Sequence, residues 1–329
     1  MNSGELNLKR VYEVQGRITQ LGYEKTSTKI IPPQSVLIGL AGQGKTRGTA
    51  AINYVELCTN QSIASILPSD KYYPEFLYQN IESRYKELRD ISSGDGGRGG
   101  LNLQMIYNLN IPYCSISEQR KIGDFLCLLD QRIETQRKII EDLKKLKDAI
   151  RTKLFRQIES TCSVYDEIRN MLDYEQPSEY LVNSTEYSDD YQIPVLTANK
   201  AFILGYTDEA YGIYDKGNCI ILDDFTMDVK YVTFPFKVKS SAIKILTAKQ
   251  YVDLYFMYEY LLYLGLVSEE HKRHYISEIE PMNIISPPLE TQEHIAQALQ
   301  AISMKIENAT SYYVLLSKQK QYLLNQLFI

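Results

Sequence analysis

Between Ile122 and Leu154, buried-type side chains recur at alternating steps of four and three residues. They are Ile122, Leu126, Leu129, Ile133, Ile140, Leu143, Ile150 and Leu154, with Gln136 and Lys147 as the two polar interruptions. A mean period of 3.5 keeps one seam of a helix facing a partner, which is the signature of a coiled coil. The pattern returns as Ile295, Leu299, Ile302, Ile306, Ala309, Tyr313, Leu316, Lys320, Leu323 and Leu327. Lysine interrupts both seams at the same place. A start signal precedes each run: Ser115 with Glu118 three residues on has the form of a capping box, and Pro287-Pro288 cannot lie inside a helix. Two helices of about 40 residues, each about 60 Å long, are expected.

These runs belong to an internal repeat. Adding 173 carries Asn110 to Asn283, Gln119 to Gln292, Ile122 to Ile295, Ile133 to Ile306, Leu143 to Leu316 and Leu154-Phe155 to Leu327-Phe328, without a gap. Upstream the offset shifts, as loop insertions would make it. Gly22-Tyr23 falls on Gly205-Tyr206 and Val36–Ile38 on Cys219–Ile221 at 183; Ser62 falls on Ser241 and Tyr72 on Tyr251 at 179. A lone amphipathic helix of this length would leave its stripe in water. The nearest partner is the other copy, packed antiparallel about a pseudo-twofold axis; pairing with a second chain is the alternative.

The remainder reads as short β-rich runs broken by turn residues, such as Ser35–Leu40, Asn218–Leu222 and Tyr231–Val238, followed by shorter helices over Pro74–Arg89 and Ala248–Leu264. The predicted class is α+β: two tandem globules, residues 1–116 and 160–288, separated by two long antiparallel coiled-coil helices, 117–159 and 289–329.

At 329 residues there is room for two ordinary cores. No apolar run reaches the roughly 20 residues that span a bilayer, and the first residues lack the apolar centre of a signal peptide, so a cytoplasmic location is expected. The five cysteines are scattered without a C-x-x-C pair, and His271 and His274 have no third ligand near in sequence, which argues against a disulfide framework or a metal site. The net charge of −5 excludes a chain coated in positive charge, but local charge governs phosphate approach. Between Glu24 and Glu56 there is no acid, while Lys25, Lys29, Lys45 and Arg47 occur; between Asp228 and Asp253 the same holds with Lys230, Lys237, Lys239, Lys244 and Lys249.

The run Gly39–Thr46 fits the P-loop pattern G-x-x-x-x-G-K-[ST] and follows an apolar strand, while Ile220–Asp224 resembles a Walker B strand. A nucleotide hydrolase is therefore the competing reading. Against it, Arg47-Gly48-Thr49 is a poor helix start, and the repeat puts the two strands in different globules rather than one sheet. As a DNA-contacting loop the same residues make sense: Gln43 can pair with adenine and Arg47 with guanine, and the 183 offset sets Arg47 against Lys230. A second glycine-rich loop, Gly94–Gly100 with Arg98, corresponds to the cluster His271-Lys272-Arg273-His274-Tyr275.

Taken in order, Gly42–Gly48, Thr59-Asn60-Gln61-Ser62, Ile193–Lys200, Ile111-Pro112 with Glu118-Gln119, Pro287-Pro288-Leu289 with Gln292, and the two long helices resemble the specificity subunit of type I restriction–modification systems over nearly the whole chain. The resemblance implies two target-recognition domains spaced by two helices acting as a ruler, reading the two halves of a non-palindromic target in double-stranded DNA. Half-sites about one helical turn, roughly 34 Å, apart would suit such a frame. It implies no catalysis on this chain. Two modification subunits would bring S-adenosylmethionine, and restriction subunits ATP and magnesium. The candidate DNA contacts are Gln43, Lys45, Thr46, Arg47, Asn60, Gln61 and Arg98 in the first globule. In the second they are Asn199, Lys200, Lys230, Tyr231, Lys237, Lys239, Lys272, Arg273 and Tyr275. One departure stands out: about two dozen residues that open the second globule, including the family's usual opening segment, have no counterpart in the first.

Overall fold

A computed structural model describes residues 1–42, 45–92, 99–112, 114–197, 202–267 and 274–328. The chain forms two compact units, Met1–Ile139 with Ala309–Ile329, and Ile140–Asn308.

The first unit opens with a 3-10 turn, Ser3–Leu8, closed by reciprocal bonds between Asn2 and Glu5. There follow β1 (Arg10–Val11), α1 (Gln20–Lys25), β2 (Ile30–Ile31), β3 (Val36–Gly39), β4 (Ala50–Asn53), β5 (Leu57–Cys58) and β6 (Ile63–Ile66). Helices α2 (Pro74–Ser83), α3 (Tyr85–Ile91) and α4 (Leu103–Tyr107) complete the globule before α5 (Ile116–Thr161) begins. The main sheet has the order β1-β4-β3-β6, with β1 parallel to β4 and the other pairs antiparallel. Both faces are covered. Val36, Ile38, Ala50 and Ile52 pack against Leu77, Tyr78, Ile81 and Leu88, while Leu37, Ala51 and Ile63 pack against Leu6 and Val11. Burial on two faces is why the strands read as continuous apolar runs instead of alternating ones.

The second unit contains β7 (Tyr165–Glu167), α6 (Ile168–Met171), β8 (Leu172–Glu175), β9 (Ile193–Leu196), β10 (Ile203–Thr207), β11 (Cys219–Asp223), β12 (Val229–Val232), β13 (Lys237–Val238) and β14 (Ile243–Ala248), then α7 (Leu254–Leu264), β15 (Asn283–Ile285) and α8 (Leu289–Leu327). Its main sheet is β12-β11-β14-β8; β10-β9-β13 and β15-β7 form two smaller ones.

Every predicted seam position of α5 and α8 is buried or half-buried. Inside the first unit the two helices run antiparallel within the same chain: Arg132 Nε donates to Tyr312 Oη at 2.9 Å and Gln136 Nε2 to the Ala309 carbonyl at 3.0 Å, while Lys320 meets Asp130 at 2.6 Å. In the second unit, Ile150, Leu154, Phe155 and Ile158 of α5 share a core with Ile295, Ala296 and Leu299 of α8.

Each globule holds the long helices by the helix that follows its main sheet, α2 in the first and α7 in the second, in matching ways. Gln119 Oε1 accepts from the Tyr73 amide at the start of α2, and Gln292 Oε1 accepts from the Asp253 amide at the start of α7, both at 2.9 Å. Phe328 packs edge-on against Phe76, as Phe155 packs against Phe256. The seam lysines find their partners here. Lys320 pairs with Glu82 of α2 at 2.7 Å and Lys147 with the fully buried Glu259 of α7 at 2.6 Å.

The strand equivalence differs by one residue from the 183 offset of the sequence. Val36 and Ile38 face the helices of their unit, as do Ile220 and Leu222 of theirs, so β3 and β11 correspond at 184. A shift of one residue exchanges the faces of a strand, and burial selects the register. β4 and β12 correspond at 179, because Val36 pairs with Ile52 and Ile220 with Tyr231. Lys230 therefore corresponds to Ala51, within a strand, and not to Arg47, which lies in a hairpin that is five residues longer in the first unit. Gly22, in α1, likewise has no equivalence to Gly205, in β10.

Candidate nucleic-acid interface

The β3–β4 hairpin, Leu40 to Thr49, projects from one end of the first sheet. Its geometry is that of an antiparallel turn: the Gly39 amide donates to the Thr49 carbonyl and the Gly48 amide to the Gly39 carbonyl. An antiparallel strand follows where a P-loop requires a helix, which removes the hydrolase reading. Three glycines serve the turn itself. A Cβ at Gly39 would lie 2.1 Å from the Thr46 carbonyl oxygen, and Gly42 and Gly48 have φ of +128° and +81°.

Two other segments meet the hairpin. The Leu40 amide donates to the Ser62 carbonyl, placing the Asn60-Gln61 turn beside it, and the Leu101 amide donates to the Leu40 carbonyl, bringing in the chain that follows the second glycine-rich loop. Tyr85 Oη of α3 bonds the Lys45 carbonyl at 3.2 Å and so braces the hairpin from behind. Lys45, Asn60 and Gln61 are exposed, and Thr46 is half-buried. Asn60 and Gln61 also line an open cavity of about 1130 Å³ together with Arg17 and Lys29. Arg17, outside the acid-free window, has no signal in the sequence that would mark it.

The second unit builds the same end from different parts. The Asp224 amide donates to the Ala242 carbonyl, as Leu40 does to Ser62. Asp224 Oδ1 accepts from the amides of His274 and Tyr275 at 2.9 and 2.7 Å, holding the segment that corresponds to Leu101. Lys244 Nζ, buried, neutralises Asp224 at 3.2 Å and donates to Tyr174 Oη at 3.0 Å. Lys239 is exposed beside the end of β9, its amide bonded to the Leu196 carbonyl. Lys230 is half-buried on β12.

Four sequence-predicted contacts turn inward instead. Lys237 is fully buried; its ammonium meets Glu209 at 2.9 Å, donates to the Tyr211 carbonyl at 2.7 Å and lies 4.6 Å from the Tyr211 ring centroid. It is a structural cation holding the 209–212 turn, because its partner acid lies 28 positions earlier, outside the basic window. Tyr275 is fully buried and packs against Tyr174. Tyr231 packs on the α7 side, edge-on to Tyr255 with ring centroids 5.0 Å apart and tilted against Tyr258 at 5.6 Å. Arg47 bends back, its Nη1 donating to the Gly99 carbonyl, so it ties two loops together. Gln43, Arg98, Asn199, Lys200, Lys272 and Arg273 lie outside the described residues. Among the described residues no cluster of His, Cys, Asp and Glu suits a metal ion, and no helix is long and apolar enough to cross a membrane.

Both units thus present three converging segments at one end of a doubly covered sheet, on equivalent frames with unlike loops. Residues 2–145 and 171–317 each match the model of the type I restriction modification DNA specificity domain. The chain belongs to this family. Among curated specificity-domain proteins, a type I restriction enzyme specificity subunit of Escherichia coli is 40% identical over 167 residues, 47% of this chain and 41% of that one. A putative type I restriction enzyme specificity subunit of Methanocaldococcus jannaschii is 24% identical over 297 residues, 78% of this chain and 67% of its own length. The match to the E. coli subunit therefore takes in less than half of that protein. The fold is that of the S subunit of a type I restriction–modification system from M. genitalium, with TM-score 0.67, 15% identity, and coverage of 91% of this chain and 84% of the other. A structure solved to describe the assembly and conformational transition of the type I system aligns with TM-score 0.56 and 15% identity over 99% of this chain and 89% of the other.

Proposed function

We propose that this specificity-domain chain selects the DNA target of a type I restriction–modification assembly, each unit reading one half of a bipartite, non-palindromic site in double-stranded DNA. The observation that supports this most is the pairing of equivalent sheet ends with unlike loops. Loops on a rigid frame can differ in the base edges they address while the frame stays fixed. In the first unit the reading groups are Lys45, Thr46, Asn60 and Gln61; in the second they are Lys230 and Lys239, joined on the sequence alone by Asn199, Lys200, Lys272 and Arg273. The chain performs no chemistry itself. Two modification subunits supply methyl transfer from S-adenosylmethionine, and restriction subunits supply ATP- and magnesium-dependent steps. A function on chromosomal DNA places the protein in the cytoplasm.

The test is exchange of residues 160–288 for those of another member of the family, followed by mapping of methylated adenines in cells making the partner subunits. One half of the modified sequence changes and the other stays. A change in both halves, or in neither, rejects the reading.

A further inference from the structure

The two sheets share the order β4-β3-β6 and β12-β11-β14, but their fourth strands lie on opposite edges: β1 beside β4 in the first unit, β8 beside β14 in the second. The outer edge of β6, equivalent to the edge of β14 that β8 fills, therefore has no strand beside it among the described residues. A second gap accompanies it. β15 is paired by β7, whereas the equivalent segment Asn110–Pro112 forms no strand pair among the described residues. One continuous stretch of the second unit, Tyr165–Glu175, fills both places, and it buries Ile168, Met171 and Leu172.

The apolar surface confirms the vacancy. Leu246 and Ile284 of the second unit are 0% and 2% exposed. Their equivalents Ile66 and Ile111 are only partly buried, as are the neighbouring Met105, Ile106 and Leu109. The polar pattern also suits a strand. The Ser62 carbonyl faces β3, where it accepts from Leu40, so by alternation Ala64 and Ile66 bond β3 while the Ser65 amide and carbonyl point outward. Ile245, the equivalent of Ser65, pairs with Glu175 of β8. The open cavity reaches Ser65, so the edge is accessible.

We infer that this edge is a docking site for an extended segment of a separate polypeptide with the chemistry of Tyr165–Glu175. That segment is a short strand, a single helical turn carrying two buried apolar residues, and a second strand that runs antiparallel to β6. Main-chain bonds to Ser65 would give affinity and the half-covered apolar groups specificity. The occupant is identified by the copy of it that the chain already carries.

The probe is a synthetic peptide of residues 164–176, added to the full chain. Saturable one-to-one binding is expected, with a rise of about 4 °C in the unfolding midpoint at concentrations well above Kd. Ser65→Pro should weaken binding at least about tenfold while leaving the fold intact, because proline is tolerated where the amide faces solvent at a sheet edge. A chain with residues 164–176 duplicated ahead of Met1 should fill its own edge, unfold at a higher temperature and lose peptide binding. No binding at millimolar peptide, equal binding of a scrambled peptide, or undiminished binding by a folded Ser65→Pro chain would each overturn the inference.

Discussion

Glu82 lies between two ammonium groups, 2.7 Å from both Lys9 and Lys320, with its side chain 18% exposed. Burial works against its ionisation, but the two lysines outweigh burial and hold its carboxyl down to about 2. A carboxyl lowered on folding stabilises the protein above its unfolded value, near 4.5, and that contribution fades as pH falls toward 2. The full shift corresponds to at most about 3 kcal/mol. Glu82→Gln should therefore lower the unfolding midpoint at pH 7 and make little difference near pH 2; equal losses at both pH values would show that the pair is not responsible. Lys237 gives a second residue-scale prediction. Lys237→Ala empties a fully buried site as well as removing the cation of Glu209 and should cost about 3 kcal/mol, whereas Lys237→Met, which keeps the packing, should cost less. Neither should alter the salt dependence of DNA binding, since the ammonium faces the protein. A basic window in a sequence does not reveal this, because Glu209, the acid that neutralises the lysine, comes from a different loop.

Among the elements, the long helices were the most legible. Their seam repeats for ten positions in each copy, and a strict 3.5 period admits one burial pattern. Even the lysine interruptions had structural meaning, since Lys320 and Lys147 are the points where α2 and α7 pair with the seam. The strands were legible as runs but not in register. Both faces of each main sheet are buried, so the apolar runs carry no alternation from which to choose between offsets of 183 and 184. The five extra residues of the first hairpin then aligned Arg47 with a strand lysine. The contact between α5 and α2 shows how closely the elements fit. A Cβ at Gly123 would stand 2.8 Å from the Phe76 amide nitrogen and 2.9 Å from the Tyr73 ring, and the repeat places Ala296 at the same position of α8. Gly123→Val should destabilise the first unit by about 2 to 3 kcal/mol despite the better helix propensity of valine, because the backbone of α2 has to move. Denaturant unfolding measures it; a neutral or stabilising change would mean that the helix contact is looser than described.

For the molecule as a whole, net charge and DNA binding pull in opposite directions. A chain of net charge −5 repels a polyanion on average, so the proposed association with DNA would rest on a few exposed cations at the sheet ends. Lys45 and Lys239 are exposed and Lys230 is half-buried, while Arg98, Lys200, Lys272 and Arg273 lie outside the described residues. With about four phosphate contacts, the affinity of the chain alone should fall about tenfold when salt is doubled, and Lys45→Ala and Lys239→Ala should each lower the slope by about 1 on every sequence alike. Asn60→Ala and Gln61→Ala should leave that slope unchanged and alter which bases are preferred, because neutral amides release no counterions. The two classes of variant separate in a salt titration repeated on several sequences. If the lysine variants changed base preference and left the slope intact, cations and amides would have exchanged roles, and the three-segment end would not be the reading surface.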